Sequence, residues 1–331
     1  MTFTFLGTSA GKPTRERNVS ALALEFAQQR GWYLFDCGEA TQHQLQKSPL
    51  KIGRLETIFI THLHGDHIFG LPGLLASKKM DEALNDITIY GPPGIRQFVE
   101  CTIALSQMHL GFEVRIIEYE PYDIFDFERC RITILPLIHS IPSHAFYIRE
   151  HDISNRLDEA KLRAIGMEPS PLYGELKKGR SVVHLGRRIA PEAYMLSPIP
   201  GRRVIVAGDN QKPEILGDYL DNLDLLIHEA TYTESVYENL AQKVLHTTAR
   251  DLAVACSHHS VRNLIATHIS ARYNSNGKLG LAPLYEEIGA HYHGRFYIAN
   301  DFDRFHLERK GILRKLSSHP ISPNSSTVSI P

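Results

Sequence analysis

The residues predict an α/β fold that carries its chemistry at strand ends, and three observations support that expectation. β-Branched and aromatic runs of strand length alternate with segments of helical period from residue 2 to about residue 299. Histidines and carboxylates stand where several of these runs end, after 58–61, 131–137, 203–207 and 263–267. The chain has 18 histidines, several of them in tight clusters rather than singly on apolar faces, so the clusters read as ligands and not as scattered core residues. Ligands gathered at strand C-termini are where open α/β sheets place their active groups.

The stretch 58–71, IFITHLHGDHIFGL, organises the rest. Its apolar start reads as a buried strand and delivers His62, His64, Asp66 and His67. His62 and His64 are two apart, which in extended backbone puts both imidazoles on one side. Gly65 lets the chain bend, so that Asp66 and His67 return toward the same point. These four side chains are more than one tetrahedral ion uses, and imidazole with carboxylate suits zinc, manganese or iron.

In order, 2–6 is a strand, and the loop GTSAGKPTRERN follows it. This glycine-rich loop reads either as a phosphate cradle made of backbone N–H groups or as a plain turn. Segments 20–26 and 32–35 form a hairpin pair, and DCGEATQHQL leads into a helix in which Thr41 and Gln44 have capping-box spacing. Segment 70–80 is a helix with Pro72 in its first turn, 87–91 a strand, 95–106 a helix, and 112–118 and 131–137 strands. The last strand empties into LIHSIPSHAFYIRE, which makes His139 a candidate ligand and His144 a further one.

From about residue 149 to 182 periodicity fades, apart from a short helix at 159–164, and prolines, glycines and basic residues accumulate. This reads as an insertion projecting from the core. Lys161, Arg163, Lys177, Lys178 and Arg180, with Tyr173 among them, form either a phosphate-contacting surface or an ordinary solvated charge run. Alternation then resumes. Segment 203–207 ends at Asp209, 223–228 ends in HEAT, a helix runs from about 246–248 to 256, and 263–267 leads to His268, Arg272 and Tyr273. The two halves read as roughly duplicated, with ligands near 62–67 and 139 and again near 209 and 268. A helix at 283–288, a strand at 294–299 and a polar turn at 300–304 complete the pattern, and the tail SSHPISPNSSTVSIP is expected to be disordered.

Composition sets the class. With 43% hydrophobic and 22% charged residues the chain is an ordinary globular protein. Its formal net charge of −1 excludes a globally basic nucleic-acid binder, so any basic footprint is local. Cys37, Cys101, Cys130 and Cys256 are too widely spaced for a disulfide framework and suit a reducing compartment. The opening MTFTFLGTS has no signal-peptide pattern and no run approaches a membrane span, so a cytoplasmic protein with no membrane association is expected.

Several separated motifs together resemble the bacterial short-form ribonuclease Z (tRNase Z) family of the metallo-β-lactamase superfamily: THLHGDHIFGLPGLL at 61–75, TFLGTSAGKPTRERN at 4–18, FDCGEATQ at 35–42, HEAT at 228–231 and THISARY at 267–273. GMEPSPLYGELKKG at 166–179 is similar to the family's tRNA-binding arm. The resemblance implies an αβ/βα four-layer sandwich, two facing mixed β-sheets with helices outside. It implies a catalytic domain at 1–310, a flexible arm at 149–188 serving as a tRNA-binding exosite, and an extension at 311–331. His62, His64 and His139 would hold one divalent ion, Asp66, His67 and His268 a second, with Asp209 bridging; zinc is the first expectation, manganese and cobalt the alternatives. Asp66, Glu229 and His246 would be catalytic, and Lys177, Lys178, Arg180 and Arg272 would meet substrate.

The implied activity is endonucleolytic removal of the 3′ trailer from precursor tRNA, with a 3′→5′ trimming activity beside it, in a cytoplasmic homodimer. Departures stand at Ala40 for glycine in FDCGEATQ, at HTT (246–248) for HST, at GDN (208–210) for GDT, at Phe146 and in the arm's Glu168–Pro171 segment. The alternatives are another hydrolase on the same scaffold and a non-catalytic metal-containing nucleic-acid-binding protein.

Overall fold

Alternation within the strands decides the layers of the computed structural model, which describes residues 1–274 and 279–316. Phe35 and Phe59 on one sheet, and Ile134, Phe146, Val206 and Ile227 on the other, point inward and form one buried cluster between the sheets. Their neighbours point outward: Leu34 and Ile58 meet the helices Leu71–Met80 and Ile95–Leu105. Leu135, Ala145, Ile205 and Leu226 meet Ala249–His258 and Ala282–His291. A period of two on each strand thus yields helix, sheet, sheet and helix, the αβ/βα sandwich. Phe146 fills this interior, with its ring 5.2 Å from Phe59 and 5.4 Å from Phe35.

The first sheet has eight strands in the order Leu313–Leu316, Arg304–Leu307, Thr2–Gly7, Ala21–Glu25, Trp32–Phe35, Leu55–Phe59, Ile87–Gly91 and Val114–Glu118. It is antiparallel up to Trp32–Phe35 and parallel beyond. The second has seven, Arg295–Ile298, Asn263–Thr267, Leu225–Glu229, Arg203–Ala207, Ser143–Glu150, Cys130–Leu137 and Ile124–Asp126, parallel over the first four. The strands Ser143–Glu150 and Arg304–Leu307 carry no clean sequence signal; each is held by pairing on both sides.

Four expectations need correction. Thr41 and Gln44 do not form a capping box: Thr41 Oγ1 donates to the Gly38 carbonyl, and Gln44 Nε2 donates to Leu6 O and Asp301. Ala40 precedes that helix at φ 61°, in the left-handed region that costs a residue with a Cβ roughly 1–2 kcal/mol. The extension does not begin at 311, because Leu313–Leu316 pairs with Arg304–Leu307 and Leu313 is fully buried; the tail from 317 onward lies outside the described residues. The insertion is also longer than 149–188, because it leaves after Glu150, and Arg156–Leu157 pairs with Met195–Leu196 before the chain rejoins the sheet at Arg203. It contains the expected helix Glu159–Ala164 and a second one, Pro171–Lys177, packed around its own apolar cluster of Leu157, Leu162, Met167, Tyr173, Leu176 and Val182. Tyr173 is therefore a core residue whose hydroxyl donates to Met167 O, not a contact for phosphate.

A buried ion pair closes the neck of this excursion. Arg202 donates to Glu150 through Nε at 2.7 Å and Nη2 at 2.6 Å, Arg309 adds a bond at 3.2 Å, and Arg202 Nη1 reaches Leu307 O. Glu150→Gln strands the buried Arg202 charge and is expected to cost about 3–5 kcal/mol. Burial alone would raise the Glu150 pKa, but the hydrogen bonds and charge of Arg202, with Arg309, hold it below the usual range. A carboxyl with a lowered folded pKa contributes its full stability above the ordinary glutamate range and loses it as pH falls through the folded value. Urea midpoints between about pH 3 and pH 7 should therefore fall less steeply on the acid side in Glu150→Gln than in the parent.

Candidate metal centre

The ligands reach one edge from both sheets. After Leu55–Phe59 the chain runs extended to His64 and enters the one-turn helix Gly65–Ile68, which brings His62, His64, Asp66 and His67 together. Gly38 and Gly70 permit this return, since a Cβ on Gly38 would lie 2.3 Å from Asp66 O and one on Gly70 2.0 Å from Gly38 O. The second sheet supplies His139 after Cys130–Leu137, Asp209 after Arg203–Ala207 and His268 after Asn263–Thr267. The expected duplication of the two halves is corrected here: His139 is supplied by the same sheet as Asp209 and His268, not by the sheet that supplies 62–67. His268 sits at φ 53°, backbone strain of the kind that collects at functional sites.

Two ligand groups result. His62, His64, His139 and Asp209 form one; Asp66, His67 and His268 form the other, and Asp209 also lies against it. His64 Nδ1 is 3.1 Å from both His62 Nε2 and His139 Nε2, and each of those two nitrogens is 3.7 Å from Asp209 Oδ2. His67 Nε2 and His268 Nε2 are 3.4 and 3.3 Å from Asp209 Oδ1, and 3.5 and 3.4 Å from Asp66 Oδ2. Ligands about 2.0–2.1 Å from a tetrahedral ion are separated by about 3.3 Å, which is the spacing found.

The outer hydrogen bonds fix which nitrogens are free. Thr61 Oγ1 donates to Asp36, so it accepts from His62 Nδ1; His139 Nδ1 donates to Leu245 O at 2.9 Å, and His67 Nδ1 donates to Asp36 at 2.7 Å. In each ring Nε2 is left to turn a lone pair inward, the arrangement metal-binding histidines use. Buried His67 Nε2 has no hydrogen-bond partner among the described residues. Burial holds the pKa of His62 well below its usual value and so keeps it neutral, as a ligand must be. At His67 burial acts the same way, but Asp36, Asp209 and Asp66 outweigh it and draw positive charge to this point. Asp209 is kept ionised against burial by His268, His67 and His62. Three inward lone pairs, one of them on the orphaned buried Nε2 of His67, and two carboxylates fit a pair of divalent cations.

His246 lies on the loop before the helix, not in it: Thr248 caps Ala249–His258 by accepting from Asp251 N. Its Nδ1 is 3.0 Å from Glu229 Oε2 and 3.9 Å from Asp209. Burial lowers the pKa of His246, yet the Glu229 carboxylate and its hydrogen bond outweigh this and lift it to about 9. Both ligand groups and His246 open on a cleft of about 360 Å³, with Gly11 and Lys243 on its walls. Gly11 N–H donates to Asp66 Oδ2 at 2.8 Å, so the glycine-rich loop fixes a ligand carboxylate.

The remaining candidates lie elsewhere. His144 is buried, with Nδ1 3.1 Å from Thr61 O and its ring on Tyr119, outside both ligand groups; its candidacy as a ligand is corrected. Arg272 is exposed just past the His268 edge. Lys177, Lys178 and Arg180 stand together on the excursion, and Glu175 pairs with the latter two at 3.0 and 2.9 Å.

Sequence spacing alone does not single out Asp36 as part of the site, although its position at the end of Trp32–Phe35, beside the metal-bearing strand, is a usable signal. It accepts from Thr61 N, Thr61 Oγ1 and His67 Nδ1 together. Asp36→Asn must mispair one of these three donors. It is expected to weaken metal binding or turnover about 10- to 100-fold, read by metal titration of the chelated protein.

The family model described as anti-Pycsar protein Apyc1 matches residues 1–154. A ribonuclease Z of Pseudomonas putida (strain W619) is 40% identical over 319 residues, covering 96% of this chain and 99% of that protein. The crystal structure of the short form of human tRNase Z superposes with a TM-score of 0.66 at 29% identity, over 93% of this chain and all of that one. The metallo-β-lactamase fold protein YhfI of Bacillus subtilis, at 18% identity and a TM-score of 0.63 over 92% of this chain and 97% of its own, shares the fold. A likeness that spans both chains nearly end to end, on a scaffold that converges two ligand groups on one aspartate, shows that this chain belongs to the ribonuclease Z family.

Proposed function

We propose that this chain is a metal-dependent endoribonuclease that removes the 3′ trailer from precursor tRNA, cutting after the discriminator nucleotide. The observation that carries the reading is the convergence of two ligand groups on Asp209 with the His246–Glu229 pair in the same cleft. His62, His64 and His139 would hold one divalent ion and Asp66, His67 and His268 the other, with Asp209 between them. The donor set favours zinc, with manganese or cobalt accepted. Such a pair supplies an acidified water at neutral pH and positive charge against the non-bridging phosphate oxygens.

The chain's own groups do the rest. Asp66, steadied by Gly11 N–H, orients the attacking water and accepts its proton. His246, kept charged by Glu229, faces the leaving 3′ oxygen, where it donates a proton or offsets the developing charge. As the water oxygen bonds to phosphorus, the bond to the 3′ oxygen breaks, leaving a tRNA 3′-OH and a 5′-phosphorylated trailer.

Lys177, Lys178 and Arg180 on the excursion, and Arg272 near the metal edge, are proposed to grip phosphates without reading sequence. The strand Ser143–Glu150 runs eight residues, about 25 Å, from the metal edge to the neck of the excursion. An arm rooted so far from its own centre suits service to a second subunit, and a homodimer acting in the cytoplasm is proposed. Among the described residues no helix is long and apolar enough to cross a membrane.

Product mapping tests the reading. Protein loaded with zinc or manganese is offered precursor tRNAs with and without CCA, beside Asp66→Ala. A single metal-dependent cut after the discriminator, absent in the variant, is expected. Stepwise shortening would instead make it an exonuclease, and turnover of small esters without RNA cleavage would assign the scaffold another substrate. Light scattering reads the dimer, and elemental analysis the metal.

A further inference from the structure

Away from the metal centre, the neck of the excursion gathers positive charge in a hollow. A cavity of about 560 Å³ there is lined by Arg149, Arg203, Arg262, Arg309 and Lys310, against the carboxylates of Asp152 and Asp224 alone. The whole chain has a formal charge of −1, so this is a local concentration. Asp224 offsets Arg262 and Glu150 offsets Arg309, which leaves Arg149, Arg203 and Lys310 without a carboxylate partner among the described residues. Asp152 accepts from Gly201 N, and Asp224 accepts from Arg203 N and pairs with Arg262 at 3.0 Å.

The strand register sharpens the point. Arg149 lies directly opposite Arg203 on one side and opposite Arg131 on the other, so three arginines form a row across adjacent antiparallel strands on the outer face of the second sheet. Like charges in direct opposition destabilise a sheet. Arg131 is relieved by Asp126, but neither Arg149 nor Lys310 pairs with a carboxylate among the described residues. A second cavity of about 450 Å³, lined by Arg131, His151 and Glu150, whose carboxylate is held by Arg202 and Arg309, shares Arg149 and Asp152 with the first, so the two form one trough.

The two uncompensated guanidinium groups of Arg149 and Arg203, presented side by side, match the oxygens of phosphate. We infer that this trough is a second, non-catalytic phosphate-binding surface, which takes either the phosphodiester backbone of RNA or a free polyphosphate. The RNA source rests on the proposed function, since RNA gripped by Lys177, Lys178 and Arg180 lies beside the neck from which the excursion projects.

The double variant R149S/K310S of the full chain tests this, neither residue belonging to the catalytic machinery. It removes repulsion, so its melting temperature is expected to equal or exceed the parent's, and hydrolysis of bis(p-nitrophenyl) phosphate should be unchanged. Binding of fluorescent precursor tRNA, followed by anisotropy across salt concentrations, should weaken about 10-fold near 0.1 M salt, with the slope of log K against log salt shallower by about two. Inorganic pyrophosphate, titrated calorimetrically into both proteins, reads the other source. A shallower RNA slope assigns the trough to RNA backbone, and loss of one equivalent of pyrophosphate with an unchanged RNA slope assigns it to a free polyphosphate. Unchanged RNA slope and unchanged pyrophosphate binding overturn the inference. If the parent neither binds nor cuts the precursor, the proposed function fails, and the pyrophosphate arm still decides the trough.

Discussion

Asp209→Ala is expected to reduce RNA cleavage at least about 1,000-fold and to leave less than one equivalent of bound metal per chain. No other ligand stands in both groups: Asp209 Oδ2 faces His62 and His139, while Oδ1 faces His67 and His268. Removing either carboxylate oxygen opens one group, and alanine removes both. The side chain is also the anion that offsets positive charge drawn into a buried site. Asp209→Asn keeps the volume and loses the charge, so it should retain more metal than alanine yet remain far below the parent. Elemental analysis after dialysis reads the metal, and precursor cleavage reads the activity. Full metal content in Asp209→Ala would refute the bridging assignment.

Replacing residues 153–199 by a short glycine–serine linker is expected to weaken precursor tRNA binding about 100-fold or more, with small phosphodiester turnover within about two-fold of the parent. Two features support this separation. The excursion packs on its own apolar cluster, which shares no member with the inter-sheet core. It also leaves and rejoins the sheet at neighbouring places, bridged by Ile153 with Ile199 and clamped below by Glu150–Arg202, so a short linker spans the gap. Under the proposed function, the lost affinity would be that of several phosphate contacts made by Lys177, Lys178 and Arg180. Equal loss of both activities would mean that the excursion supports the fold rather than the substrate.

The sequence by itself determined the class of fold and the ligand types. Period-two strands alternating with helical segments required layered sheets, and each ligand followed an apolar run because the end of a buried strand is where a polar side chain first escapes the core. Thus 62–67, 139, 209 and 268 were legible one by one.

What the tertiary structure decided is everything that depends on pairing between distant segments. Local pattern cannot say which sheet a strand joins, so the assignment of His139 to the same sheet as Asp209 and His268 came only from strand order. Asp36 orients His67 across a parallel strand pair, and Gly11 fixes Asp66 over 55 residues of chain, contacts that leave no mark in sequence spacing. Ser143–Glu150 and Arg304–Leu307 became strands because neighbours satisfied their backbone groups on both sides. Tyr173 reads from sequence as an aromatic among lysines; the fold of the excursion buries it, because a small body off the main core needs an apolar centre of its own.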